Sequence, residues 1–328
     1  MKHELRKVQR TSSGTFFVCL PKKWAERIGL KRGAVVAVSE MTDGRLALDP
    51  KYDVERGPRE AVVKPSAYLS REITGKYLLG YDIIRVEAEN RISSEDRKQV
   101  KQAAAHLVGL EIVEEDYSKI VMQCLLKPST FPPDKILRRE HSIAAGMHRD
   151  TVTALIEGDV QLAKNVIARD NEVNRLYFLL VRILRTVIQN PGLGEKLDVR
   201  PIDCLDYRLV ASLVESIGDQ SVHMAKKVLE LGGVRLSKEL AQLFLKFHSE
   251  VFTAHEKALE AFFSHNVSLR ESVRGERDKI VASIRKVEAA VGGESNEVAP
   301  HLLTMVSLMS RIYDNSVDVA DLVMPRTE

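Results

Sequence analysis

The feature that most constrains this chain is a helical rhythm that begins at residue 134 and runs nearly to its end. Apolar residues recur at three- and four-residue spacing over 134–157, 159–189, 203–231, 237–264, 267–290 and 298–323. That spacing places them on one face of a helix. The interruptions are helix stops: Gly158-Asp159, Asn190-Pro191-Gly192, Gly232-Gly233, His265-Asn266 and Gly292-Gly293. Long helices with one apolar face must bury that face against one another. Three followed by three more predict two consecutive three-helix bundles, over 134–231 and 234–325.

The preceding sequence has a different texture. Pro128, Pro132 and Pro133 mark a boundary. Before it, residues 60–128 read as a small α/β domain, with helices over 67–79 and 93–107 and strands over 82–88, 111–115 and 120–126. Residues 50–60, with Pro50, Gly57 and Pro58, read as a linker. Residues 1–52 read as a β-rich domain around one short helix. Strands are expected at 5–9, 15–20, 34–38 and 45–49, the last two joined through Asp43-Gly44. Pro21 and Gly29 bracket a helix over 22–28. The expected fold class is therefore multidomain and mainly α: a small β-rich head, a small α/β domain and two helical bundles.

Composition narrows the function. Hydrophobic residues are 44% of the 328 and charged residues 29%, as in ordinary globular proteins. Cys19, Cys124 and Cys204 form no C-x-x-C pair, which excludes a zinc ribbon and a disulfide framework and suits a reducing cytoplasm. The start of the sequence is charged, with no apolar signal-like core, and no apolar run approaches membrane-spanning length. The expected location is the cytoplasm. Charge is unevenly placed: residues 1–52 carry 11 basic and 5 acidic residues, a balance of +6, and the remainder is −3. A basic head on a slightly acidic body suits a polyanion such as DNA; a solvated basic surface is the alternative.

Two helices carry polar residues at spacings that suit a metal. Glu215, Asp219 and His223 follow one another four apart, across from an apolar stripe of Val210, Leu213, Ile217, Met224 and Val228. Two carboxylates and an imidazole in line are ligands for a divalent transition metal; a solvated helix face has the same pattern. Asp170 and Asn174 lie at the shoulder of the stripe Val166, Val173, Tyr177, Leu180 and Leu184. A carboxylate beside a core stripe needs a partner. Enzyme signatures are missing: no G-x-S-x-G, P-loop, G-x-G-x-x-G or H-E-x-x-H is present. None of the nine histidines follows a Glu by three residues, which removes the Glu-x-x-His pair of di-iron bundles. No enzyme activity is expected. Cys19, among Phe16, Phe17 and Val18, reads as core, and His148, His248 and His255 have no assigned role.

The head resembles the AbrB/SpoVT swapped-hairpin DNA-binding domain. The residues that carry the resemblance are Arg6-Lys7-Val8, Gly14 through Lys23, Ile28-Gly29-Leu30, Gly33 and Asp43 through Pro50. It implies two chains interleaved in one homodimeric barrel, with +12 on the dimer head. Arg6 matches a DNA-contacting arginine of that family, and the charge of the head adds Lys7, Arg10, Lys22, Lys23 and Arg27 as DNA-binding candidates near the strand–loop–helix surface. Thr15, Ala25 and Glu26 stand where that family places basic residues.

The helical half resembles PhoU, the phosphate-uptake regulator, through the stretch Ala154 to Leu176 and through Glu215-Ser216-Ile217-Gly218-Asp219. The family's E/D-x-x-x-D motifs hold metal clusters. The resemblance therefore implies a divalent or ferric ion at Asp170, Asn174, Glu215 and Asp219, and the spacing adds His223 as a helper. In the second half Ser310 replaces the first acid, leaving Asp314, with Asp318 and Asp321 following. The α/β domain looks like the insertion of archaeal-type PhoU proteins. Together these resemblances imply a cytoplasmic, dimeric, DNA-binding transcriptional regulator of phosphate uptake. The rival is an adaptor whose head only dimerises and which acts on a phosphate transporter or its signalling partners. A metal-dependent hydrolase is the more distant rival.

Overall fold

A computed structural model describes residues 4–40, 44–50 and 57–325. The chain divides into two units, residues 1–57 and 58–328, with the division inside the expected linker.

The first unit is two small ribbons and a helix. β1 (Gln9–Arg10) pairs antiparallel with β2 (Phe16–Phe17), and β3 (Ala37–Glu40) with β4 (Leu46–Asp49). The first two strands are shorter than the sequence suggests, and β1 begins where the expected strand ends. The helix α1 (Lys22–Ile28) falls where the sequence puts it: Pro21 precedes it, and Gly29 closes it in the left-handed region at φ 73°. Thr42 and Asp43 of the expected hairpin turn lie outside the described residues. No described residue between 4 and 50 is buried. Leu5 is 96% exposed, Val35 89% and Phe16 68%. Cys19, expected in a core, is exposed because the described residues of this unit form no core.

The second unit opens with β5 (Glu60–Val63), α2 (Leu69–Leu78), β6 (Ile83–Glu87), α3 (Ser94–His106), β7 (Leu110–Glu115) and β8 (Lys119–Cys124). β5 was not expected; it begins on the last residue of the expected linker. The sheet order is β5-β6-β8-β7, with β5 parallel to β6 and the other pairs antiparallel. Its alternating buried residues, among them Val63, Ile84, Val86, Ile120 and Met122, pack with Leu69, Ile73, Tyr77 and Val100 of the two helices.

The bundles follow. The first holds α4 (Pro133–Glu157), α5 (Val160–Gln189), the short α6 (Pro191–Leu197) and α7 (Asp203–Glu230). The second holds α8 (Lys238–Ser264), α9 (Val267–Gly275), α10 (Arg277–Val291) and α11 (Ala299–Asp321). Two details differ from expectation. Pro191, read as part of a break, is the first residue of α6, which closes on Asp198 at φ 53°. The helix expected over 267–290 is divided at Glu276, just after Gly275. α4, α5 and α7 pack mutually, and α7 against α11 and α4 against α8 join the two bundles. One apolar core runs through both. The α/β layer belongs to this same unit: buried Arg182 of α5 donates to the carbonyls of Tyr77 (2.7 Å) and Tyr81 (2.8 Å) and to Asp82 Oδ1 (3.1 Å).

Candidate functional site

The acidic residues of the first bundle meet where α7 runs against α5. Gly218 sets the approach. A methyl group there would sit 3.4 Å from Val173 Cγ1, so the two helices touch at this level. Val173 is the neighbour of Asn174 in the sequence, and Gly218 that of Asp219. The close pass therefore carries Asp170 and Asn174 beside Glu215 and Asp219. The predicted stripe on α7 is buried at Val210, Ile217, Met224 and Val228. Glu215 and Asp219 are half-buried, not solvated, because α7 is flanked by other helices on several sides. His223 is exposed at the end of the row.

These groups press on one another electrostatically. Burial pushes the Glu215 carboxyl up to about 7, and Asp219 and Asp170 add to the rise while Arg208 opposes it. Burial also raises Asp170; Asp219 adds to the rise, and Lys226, the Asn174 hydrogen bond and His223 relieve it. Asn174 Nδ2 donates to Asp170 Oδ2 at 3.0 Å. Asp219 is raised by burial and eased by His223 and Lys226. The arrangement is a partly sheltered concentration of negative charge, a natural seat for a cation.

The structure adds a residue that the sequence reading missed. Glu140 of α4 is fully buried, and neither carboxylate oxygen has a hydrogen-bond partner. Burial, reinforced by Glu215, lifts its carboxyl well above the usual range, with Arg208 opposing. Its signal in the sequence is an acid set on the apolar stripe Ile136, Leu137, Ala144 and Met147. Orphaned buried oxygens beside a half-buried acidic row fit a cation better than they fit an ordinary core. Even so, among the described residues the potential ligand atoms of three residues come within 4.8 Å of one another only at His141, His255 and Glu256. The carboxylates around Glu215 are electrostatic neighbours that do not yet share one point.

Asp314 belongs to a separate acidic strip on α11. Arg277 faces it at 3.9 Å, Arg274 faces Asp321 at 3.5 Å, and Asp314 and Asp321 add to the burial-driven rise of Asp318. The adjacent Asn315 donates to Ser216 Oγ at 2.9 Å, tying α11 to α7 beside Glu215.

The six basic candidates of the head, Arg6, Lys7, Arg10, Lys22, Lys23 and Arg27, are all exposed. Arg10 lies over the Phe16 ring at 5.4 Å, and α1 carries Lys22, Lys23 and Arg27. Two are already answered by carboxylates: Arg6 pairs with Glu4, and Lys22 with Glu26 at 3.8 Å.

Comparison with known proteins places the acidic site within a matched segment. Residues 137–228 match the family described as the PhoU domain. This segment spans nearly all of α4 through α7, with Glu140, Asp170, Asn174, Glu215, Asp219 and His223. A curated relative, the "Phosphate-specific transport system accessory protein PhoU homolog" of Rhizobium meliloti (strain 1021), is 23% identical over 189 residues, 55% of this chain and 78% of its own. The crystal structure of PhoU from Pseudomonas aeruginosa is similar with a TM-score of 0.53 at 17% identity, over 60% of this chain and 95% of that one. The helical body thus has the fold of that structure. No helix among the described residues is long and apolar enough to cross a membrane.

Proposed function

We propose that this chain is a cytoplasmic regulator of phosphate uptake, that its first bundle holds a metal ion, and that its head joins two copies and binds DNA. The observation that carries the phosphate reading is a coincidence of position. The segment that matches the PhoU domain is the one whose helices assemble the acidic row. Glu140, Asp170, Glu215 and Asp219 would hold a divalent or ferric ion, with Asn174 and His223 beside them. Such an ion supplies a positive centre able to attract an anion such as phosphate. The chain's own residues keep the site ready: Asn174 fixes the Asp170 carboxylate, and Arg208 and Lys226 moderate the repulsion.

The head supports self-association. A unit with no buried residue among those described gains a core by pairing with a second copy. Pairing would also double its positive charge, which favours DNA as the ligand. The ion pairs Arg6–Glu4 and Lys22–Glu26 favour the second reading, an adaptor that dimerises without DNA and acts on a phosphate transporter or its signalling components. The test is phosphate uptake by cells lacking the chain. Loss of the chain should leave uptake insensitive to external phosphate, and the wild type but not the Glu215→Ala, Asp219→Ala double variant should restore control. Unaltered uptake in the deleted strain contradicts the phosphate reading.

A further inference from the structure

A second cluster lies where the two bundles meet, away from the acidic row. His141 and His148 of α4 face His255 and His248 of α8, two imidazoles seven residues apart on each helix. His141 pairs with His255 and His148 with His248, so the helices run antiparallel through the cluster. His141 Nε2 lies 3.0 Å from His255 Nδ1, and His248 Nδ1 lies 3.3 Å from His148 Nε2. The rings of His148 and His255 are 5.7 Å apart at their centres, linking the two pairs. The cluster is not a satisfied polar core, since His148 Nδ1 and His255 Nε2 are buried without a partner.

One end of this ladder is open. A surface cavity of about 380 Å³, lined by Arg138, His141, Glu256, Glu260, Phe263 and other residues, gives access to His141. Glu256, exposed and next in sequence to His255, brings a carboxylate to the same place. The ligand atoms of His141, His255 and Glu256 all lie within 4.8 Å of one another. Two nitrogens on one tetrahedral zinc ion, with bonds of about 2.0–2.1 Å, stand about 3.3 Å apart. The His141–His255 nitrogens need to open by only a few tenths of an ångström to take an ion in place of the shared proton.

We propose that His141, His255 and Glu256 form a binding site for a borderline transition dication such as Zn²⁺, at the junction of the bundles and separate from the carboxylates around Glu215. Two imidazoles and one carboxylate leave a fourth position, which the cavity opens to water or a small anion. Both imidazoles are buried, and burial favours the neutral ring that ligation requires. Of the charged groups around the cavity, Arg138 is stacked 3.7 Å over the Phe263 ring, and Glu260 lines the same cavity. α4 separates the two sites by face: Glu140 looks toward Glu215, whereas the next residue, His141, looks toward α8. This inference does not depend on the phosphate reading.

The experiment uses full-length protein stripped with a chelator. Zn²⁺ uptake is followed by competition with a chromophoric chelator, and Co²⁺ by its visible absorption. The expected result is that, beside any ion on the acidic row, one equivalent shows the spectrum of a nitrogen-ligated, four-coordinate Co²⁺. That equivalent should persist in the Glu215→Ala, Asp219→Ala double variant and be lost in His141→Gln. Glu256→Ala alters an exposed residue and so leaves folding intact; it should weaken Zn²⁺ about tenfold or more. The proposal is overturned if no Zn²⁺ binds below about 100 µM, or if Glu256→Ala and folded His141→Gln bind as the wild type does. Loss of the ion in the acidic double variant alone would assign it to the other site and overturn the proposal equally.

Discussion

At the scale of single residues, charge placed where water cannot reach it carries most of the account. Glu140 has no partner for either oxygen, so replacing it should help the ion-free protein. Glu140→Met keeps the volume and the helix and should raise stability by about 1–3 kcal/mol in chelator-treated protein. Destabilisation of that size in a urea titration would mean that the carboxyl has a partner after all. Glu215 gives a pH signature. Its folded pKa, about 7, lies above its ordinary 4.5, so its stabilising contribution is complete below about pH 4.5 and is lost as pH rises through about 7. The buried histidines, lowered in the fold, act in the opposite sense, so the signature must be read as a difference between proteins. Glu215→Gln should stabilise the ion-free protein more at about pH 8 than at about pH 5.5, by about 1 kcal/mol after discounting for its solvent-facing side. An equal effect at both pH values would contradict the shift. The row Glu215, Asp219, His223 was legible because a four-residue spacing fixes a shared face within one helix. Glu140 and the four histidines were not, since their meaning depends on which helix faces them, and no spacing within a helix states that.

At the scale of elements, caps and packing stripes decided what could be read. α4 ends on Gly158 at φ 69°, and the neighbouring Asp159 caps α5 by accepting the Leu162 N–H at 2.9 Å. Gly158 also has no room for a side chain, since a methyl group would lie 2.8 Å from the Gly233 carbonyl oxygen of the α7–α8 connection. Gly158→Ala should therefore cost about 2 kcal/mol or more, combining backbone strain with a displaced loop. A thermal midpoint unchanged from the wild type would contradict this. The docking of the α/β layer was invisible in the sequence, because Arg182 sits on an apolar helix face and its partners are backbone carbonyls more than a hundred residues away. Arg182→Ala should cost about 2–4 kcal/mol and increase amide exchange in α2 and β6. The same exchange rates in variant and wild type would mean that the layer is held by apolar contacts alone. β5 escaped notice because four residues beside Pro58 look like the end of a linker, and the split at Glu276 because the apolar rhythm runs on across it.

At the scale of the whole molecule, the rhythm of long helices was enough to place both bundles, whereas the head required tertiary information. Its strands are short and its apolar side chains lie open, so length and pattern could not say what covers them. Full-length protein should be a dimer in light scattering, and removal of residues 1–57 should leave a monomer; a monomeric full-length chain would contradict the role of the head. If the dimer uses about six phosphate contacts, log K for DNA should fall with log salt at a slope of roughly −5. Replacing Lys22 and Lys23 by Ala should flatten that slope on every sequence alike. The absence of binding at low salt would leave the adaptor reading. The central claim is that the acidic row of the first bundle holds metal, and elemental analysis of full-length protein purified without chelator tests it most directly. The account predicts near-stoichiometric divalent or ferric metal at the acidic row, read as an equivalent that remains in His141→Gln and is missing from the Glu215→Ala, Asp219→Ala double variant. Metal content in that double variant equal to the wild type would contradict it.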